Sequence, residues 1–153
     1  MIKLVRVDHR LLHGQVIFSW TKQKSVNHII VLDDEVPKQP ITVMALSMAK
    51  PADCGLDIIG FSDLEEALSK VEKKNVMILI KGPVEALQLV NKVPEITEIN
   101  YGGVAKKNSS KAFGKAVYLT PEELLATQNI LNKGVSIYVQ QVPSSSVENV
   151  DFK

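Results

Sequence analysis

Short β-branched and aliphatic runs alternate along the chain with longer stretches whose apolar positions recur at helical spacing. Residues 2–7 (Ile-Lys-Leu-Val-Arg-Val) read as a first strand, and a loop at 8–13 leads into a helix from Gly14 to Lys24. Residues 28–33 form a second strand, continuously apolar up to Asp33, as strands covered on both faces are. A helix over 39–49, a strand at 56–60, a helix over 63–74 and a strand at 76–81 follow. Ser62 and Glu65 have the spacing of a capping box, and Pro83 suits the first turn of a helix over 84–92. Further strands are predicted at 96–100, 115–119 and 135–139. Thr120-Pro121-Glu122-Glu123 opens the last helix, and Gly134 ends it.

Such alternation builds βαβ units. The expected fold is α/β: one domain over residues 1–153, with an open, twisted, mostly parallel sheet of about seven strands and helices on both faces. No repeat or linker divides it. Ligands of such sheets bind outside the carboxyl ends of the strands. That rule gathers Asp8–Gly14, Asp33-Asp34, Gly60, Lys81-Gly82 and Asn100-Tyr101-Gly102-Gly103 at one edge, and sends His28, Cys54 and Asn75 to the other.

Composition narrows the function. The 153 residues carry 18 Lys+Arg against 17 Asp+Glu, a formal charge of +1, which argues against a nucleic-acid binder working through many phosphate contacts. A hydrophobic fraction of 45% with 23% charged residues is globular rather than disordered. No apolar run approaches membrane-spanning length, and the N-terminus is not a signal peptide. Cys54 is the only cysteine, which excludes an internal disulfide and a cysteine-cluster metal site and makes a reducing cytoplasm the expected setting.

The first loop is the most unusual segment. Arg6-Val7-Asp8-His9-Arg10-Leu11-Leu12-His13-Gly14-Gln15-Val16 places two His, two Arg and one Asp between a buried strand and a helix start. Free N–H groups at a helix N-terminus make an anion site, Gly14 permits close backbone approach, and arginine offers a fork matched to phosphate oxygens. Imidazole has a reference pKa of about 6.5, so a neutral ring nitrogen is available to attack phosphorus. Arg10, Arg6 and backbone donors would then stabilise charge on the phosphoryl oxygens without an obligatory metal or a general base. On these grounds alone, His9 and His13 are equal candidates.

The same segment resembles the signature of the IIB subunit of the mannose/fructose/sorbose family of the bacterial phosphoenolpyruvate-dependent sugar phosphotransferase system. Val31-Leu32-Asp33-Asp34-Glu35-Val36, Pro51, Ile99-Asn100-Tyr101-Gly102-Gly103, Tyr118-Leu119-Thr120-Pro121-Glu122-Glu123 and Val139-Gln140-Gln141-Val142-Pro143 extend the likeness over the whole chain. The resemblance implies that His13, the histidine before Gly-Gln, carries the phosphoryl group on the ring nitrogen nearer the backbone. It implies Arg10 and Asp8 beside it, with Arg6, Gly14 and Gln15 completing the phosphate site. His9 occupies a variable position. The implied donor is a phosphorylated IIA domain, and the implied acceptor is a sugar entering through a IIC/IID membrane complex. The protein would be a cytoplasmic phosphohistidine–sugar phosphotransferase, peripherally associated with that permease and without a cofactor. The sugar and the oligomeric state, a homo-oligomer included, stay open.

Other residues have plainer readings beside functional ones. Asp8 could orient Arg10 or the His13 ring, or be a structural strand-end carboxylate. Asp33 and Asp34 could hold an arginine in place or be a solvated, helix-capping pair, and Lys81 could reach the anion from the fourth strand or be an exposed strand-end lysine. The basic, glycine-rich segment 102–116 could dock an acidic partner or be merely solvated. Val16 and Trp20, four residues apart, suit core packing, and His28 a structural role. Cys54 precedes a strand, whereas a thiolate phosphate carrier follows one, so it is rejected as the carrier. A receiver-like aspartyl phosphate would need a third aspartate where Gly60-Phe61 stands, and neither glycine-rich nucleotide motif is present.

Overall fold

The structure, a computed structural model, describes residues 1–153. The elements run β1 (Ile2–Asp8), α1 (Gly14–Gln23), β2 (His28–Leu32), α2 (Pro40–Ala49), β3 (Gly55–Ile59), α3 (Leu64–Lys70), β4 (Val76–Ile80), α4 (Pro83–Lys92) and β5 (Glu98–Gly103), then β6 (Lys111–Ala112), β7 (Tyr118–Leu119), α5 (Pro121–Asn132) and β8 (Ser136–Val139). Six strands form one sheet in the order β3-β2-β4-β1-β5-β8, every neighbouring pair parallel. The expected α/β class, open parallel sheet and helices on both faces are all present.

Two expectations need correction. The segment 115–119 does not add a seventh strand to the sheet; its end becomes β7, a two-residue partner of β6 in a separate antiparallel hairpin. Its contact with the β5 end is a single isolated parallel bridge, Val117 to Val104, which does not extend into a ladder. The place beside β5 goes instead to β8, which arrives after α5. The Ser62–Glu65 capping box does not form either. A 3₁₀ turn at Phe61–Asp63 precedes α3, so Asp63 holds the cap position without a side-chain bond. The box at Thr120 does form: the Glu123 N–H donates to Thr120 Oγ1 at 3.2 Å, and Thr120 N–H to Glu123 Oε1 at 2.9 Å. Gly134 stops α5 with φ +86°.

Strand alternation divides the interior into two cores. Val5, Val7, Ile30, Leu32, Ile78 and Ile80 pack with Leu64, Leu89 and Ile130 of α3, α4 and α5. Leu4, Ile29, Val31, Met77 and Leu79 pack with Ile17 and Trp20 of α1 and Leu46 of α2. On β1, Arg6 and Asp8 share the face of Leu4 by the period of two. They therefore point toward α1, at the carboxyl end of a central strand. No helix is long and apolar enough to cross a membrane.

Candidate active site

The β1–α1 loop is pinned from below. Leu11 and Leu12 drop into the α1/α2-side core, while His9 and Arg10 stay at the surface. Leu11 takes φ +58°, a left-handed conformation that non-glycine residues rarely hold, and its N–H donates to Asp8 O at 2.9 Å. That turn brings His13 back over the strand end as the N-cap of α1, with extended φ −146° and ψ 119°. Gly14 follows at φ +40° with no atom near its Cβ position. The first helical bond runs from Ile17 N–H to His13 O, so the N–H groups of Gly14, Gln15 and Val16 have no helical acceptor.

Asp8, fully buried, is the hub. Its Oδ2 accepts from Arg6 Nη2 at 2.9 Å and lies 2.9 Å from His13 Nε2. Its Oδ1 accepts from the Arg10 N–H at 3.0 Å and from Arg10 Nε at 3.1 Å. Burial pushes the Asp8 carboxyl up, but hydrogen bonds from His13 and Arg10 and the charge of Arg6 outweigh it and hold Asp8 well below the usual carboxylate range. An ionised carboxylate only accepts, so Nε2 of His13 carries the proton and, in the neutral ring, Nδ1 keeps the lone pair.

Arg6, expected among the phosphate-binding groups, sits elsewhere. It is fully buried, so its guanidinium cannot touch an incoming phosphoryl group. Nη1 donates to Asn100 Oδ1 and to the Gln140 carbonyl, and Cζ lies 5.6 Å from the centroid of the Trp20 ring. A Cβ on Gly102 would fall 2.1 Å from that Cζ, so the arginine lies across a place only glycine leaves open. Gly102→Ala should therefore force Arg6 aside and lower stability by about 1–3 kcal/mol, measured by urea unfolding. Asn100, Gln140 and Trp20 were not read from the sequence as parts of this cluster. Trp20 was read as core packing, and it does pack, but its Nε1 also donates to Gln141 O at 2.9 Å. The double glycine after Asn100 was the available signal for the close approach.

Arg10 remains half exposed, its far Nη2 3.3 Å from Asp8 Oδ2. His9 is also partly exposed, with Nδ1 3.9 Å from Asp8 Oδ1. Lys81 follows Ile80, which pairs with Val7, so it sits one strand over from Asp8; its Nζ is 3.4 Å from Asp33 Oδ1. Asp33 Oδ2 accepts from the N–H groups of Glu35 and Val36, and Asp34 Oδ1 from that of Phe61, so both carboxylates cap local turns. Lys107 of the basic segment pairs with Glu123 at 3.0 Å. At the far edge, His28 Nε2 lies 2.8 Å from Asp57 Oδ2, and Cys54 is buried, its thiol pushed up by that burial. No cluster of His, Cys, Asp and Glu is arranged to hold a metal.

The β1–α1 loop thus gathers a histidine, two arginines and a carboxylate at one strand end of a parallel α/β sheet. The model of a known family, the PTS system sorbose subfamily IIB component, matches residues 2–152. The chain belongs to that family. It is 30% identical to the sorbose-specific EIIB component of Lacticaseibacillus casei over 96% of this chain and 93% of that one. It is 28% identical to the mannose-specific EIIAB component of Escherichia coli K12 over 93% of its own length, spanning 45% of that longer relative. Among solved structures, the IIB domain of the Klebsiella pneumoniae sorbose permease superposes with a TM-score of 0.91 at 27% identity, covering 97% of this chain and 93% of that chain.

Proposed function

We propose that this IIB component accepts a phosphoryl group on His13 Nδ1 from the phosphohistidine of a IIA domain and passes it to a sugar entering through a IIC/IID permease. In the first step a P–N bond forms at His13 Nδ1 as the donor's P–N bond breaks, and the donor's nitrogen recovers its electron pair. In the second a sugar hydroxyl oxygen attacks phosphorus, the His13 P–N bond breaks, and the hydroxyl proton is released. One observation carries the reading: the 2.9 Å contact from His13 Nε2 to a buried, ionised Asp8, which leaves Nδ1 as the free nucleophile. Family membership supports the partners, and a relative that joins IIA and IIB in one EIIAB protein supports the donor. In this reading the chain works on the cytoplasmic side, at the permease.

The remaining roles follow from exposure and charge. Arg10 swings from Asp8 to the phosphoryl oxygens, helped by the N–H groups of Gly14 and Gln15 at the start of α1. Lys81, one strand away, adds positive charge. Arg6 acts through Asp8, which it holds in place. Metal and cofactor have no part in the cycle, since guanidinium and main-chain donors neutralise the transferred charge. Arg10→Lys should slow transfer from phosphorylated IIA about 10- to 100-fold, because a point charge does not reproduce the fork. Unchanged single-turnover rates would remove Arg10 from the mechanism. The deciding experiment is phosphorylation with phosphoenolpyruvate, the general phosphotransferases and a IIA partner, with the modified residue mapped under non-acidic handling. A label on His13 that is lost in acid and survives alkali is expected. A label elsewhere, or none, overturns the proposal.

A further inference from the structure

Asn100 and Gln140 take no part in the transfer proposed for this chain, yet both close on Arg6. Asn100 is the neighbour of Arg6 in the β1–β5 ladder and is fully buried. Its Oδ1 accepts from Arg6 Nη1, and its Nδ2 donates to the Gln140 carbonyl at 3.0 Å, with Tyr138 O at 3.4 Å. That Gln140 carbonyl takes a longer bond, 3.3 Å, from the same Nη1. The turn after β8 that carries it is fastened by the Gln140 side chain, whose Nε2 donates to Ser145 O at 2.7 Å. An amide presents an acceptor to a guanidinium and a donor to a carbonyl at once. A leucine of the same branched shape offers neither, and an aspartate keeps only the acceptor.

The hold on Nη1 shows in what Arg6 does with its other nitrogens. Arginine meets a carboxylate most strongly through two parallel N–H groups. Arg6 gives Asp8 only one, from Nη2 to Oδ2. Its Nε finds no acceptor in the protein, the only buried side-chain nitrogen or oxygen so placed. An unpaired buried donor is costly. Turning the guanidinium fork onto Asp8 would give Arg6 a second bond to the carboxylate, and Asn100 with the Gln140 carbonyl stands against that turn. Gly102 supplies the room. The β1–β5 register skips it, pairing Val7 with Tyr101 and Asp8 with Gly103, and the guanidinium lies across the gap. Asn100 and Gly102 therefore act on the same group, one fixing it and the other leaving space for it.

The acceptor positions left on Asp8 are the ones the site uses. An ionised carboxylate offers about four. Arg6 takes one, the Arg10 N–H and Nε take two, and His13 Nε2 takes the fourth, with Arg10 Nη2 crowding Oδ2 at 3.3 Å. A second bond from Arg6 has to displace one of these partners. Arg10 holds the carboxylate through both main chain and side chain, whereas the His13 ring has this single hydrogen bond, so His13 is the partner displaced. We propose that Asn100 is a positioning residue for the transfer through His13, on which reading this inference rests. It keeps Arg6 singly bonded to Asp8 and so reserves the fourth acceptor position for His13 Nε2.

Nitrogen-15 NMR of the unphosphorylated full chain tests the geometry separately from the chemistry. Wild type should show distinct Arg6 Nη1 and Nη2 resonances and a resolved His13 Nε2–H. Asn100→Leu should lose the His13 Nε2–H resonance to exchange with water. Its single-turnover rate at saturating phosphorylated IIA should fall about 10- to 100-fold, the scale on which groups that orient a reacting ligand act, while the donor concentration for half-maximal rate stays unchanged. Asn100→Asp keeps an acceptor for Nη1 and should keep the His13 resonance, even where its thermal melt is lowered. A single averaged Arg6 Nη resonance in wild type overturns the proposal without any variant. So does a His13 Nε2–H resonance or a transfer rate left intact in Asn100→Leu, or the resonance lost from Asn100→Asp. Where Asn100→Leu does not fold, the wild-type and Asn100→Asp spectra decide. A phosphoryl label mapped away from His13 would instead overturn the carrier reading and leave these spectra as stated.

Discussion

His13→Ala is expected to abolish covalent phosphoryl uptake from phosphorylated IIA, while His9→Ala keeps it. Both rings border the same carboxylate, so the difference rests on geometry. His13 Nε2 lies 2.9 Å from Asp8 Oδ2, within hydrogen-bond distance, whereas His9 Nδ1 stays 3.9 Å from Oδ1, beyond it. Only the first ring is fixed in tautomer and direction, beside the unpaired N–H groups at the start of α1. Because alanine retains the β-branch-free N-cap backbone and His13 makes no side-chain cap bond, the fold should survive the change. Labelling with phosphorylated donor, beside a thermal melt of each variant, separates lost chemistry from lost structure. Label retained in His13→Ala would move the carrier to another residue.

What the sequence made legible, and what it hid, divides along the range of the interactions. Strand–helix alternation is local, so five helices and the six sheet strands could be placed within a few residues. The carboxyl-edge rule then brought the β1–α1 loop, Lys81 and Asn100–Gly103 together without any coordinates. The fate of 115–119 depended on which segment takes the place beside β5, a competition between distant pieces of chain. Likewise Ser62 and Glu65 had the right spacing, but Asp34, far back along the chain, binds the Phe61 N–H and a 3₁₀ turn shifts the helix start. Arg6 was misread for a similar reason. A charged residue inside a strand looks available to a ligand until Asn100, Gln140 and Trp20, from three other elements or their flanks, are found around it. The motif identifies the site; the division of labour within it is a tertiary property.

That division is tested most severely at Asp8. Every protein group bonded to its carboxylate is a donor: Arg6 and His13 on Oδ2, the Arg10 N–H and Nε on Oδ1, with Arg10 Nη2 also near Oδ2. In Asp8→Asn the new amide nitrogen has no acceptor at the Oδ1 position. At the Oδ2 position it has one, His13 Nε2 in the other tautomer. The amide therefore donates to Nε2, the ring proton moves to Nδ1, and the nucleophilic lone pair is lost. Transfer should fall about 10³–10⁴-fold, the scale on which a wrong imidazole tautomer acts elsewhere. Stability should fall by about 3–5 kcal/mol at pH 7, because Arg6 loses the counter-charge of a buried pair. The pH dependence has a definite sign. A carboxylate held below its unfolded pKa of about 3.9 stabilises the fold fully above that value, and the stabilisation drains away as pH falls toward the folded pKa. Urea unfolding should thus give a wild-type advantage over Asp8→Asn that is constant from neutral pH down to about 5 and shrinks below about 4. An advantage unchanged down to about pH 2 would mean that the ionised Asp8 does not hold this cluster together.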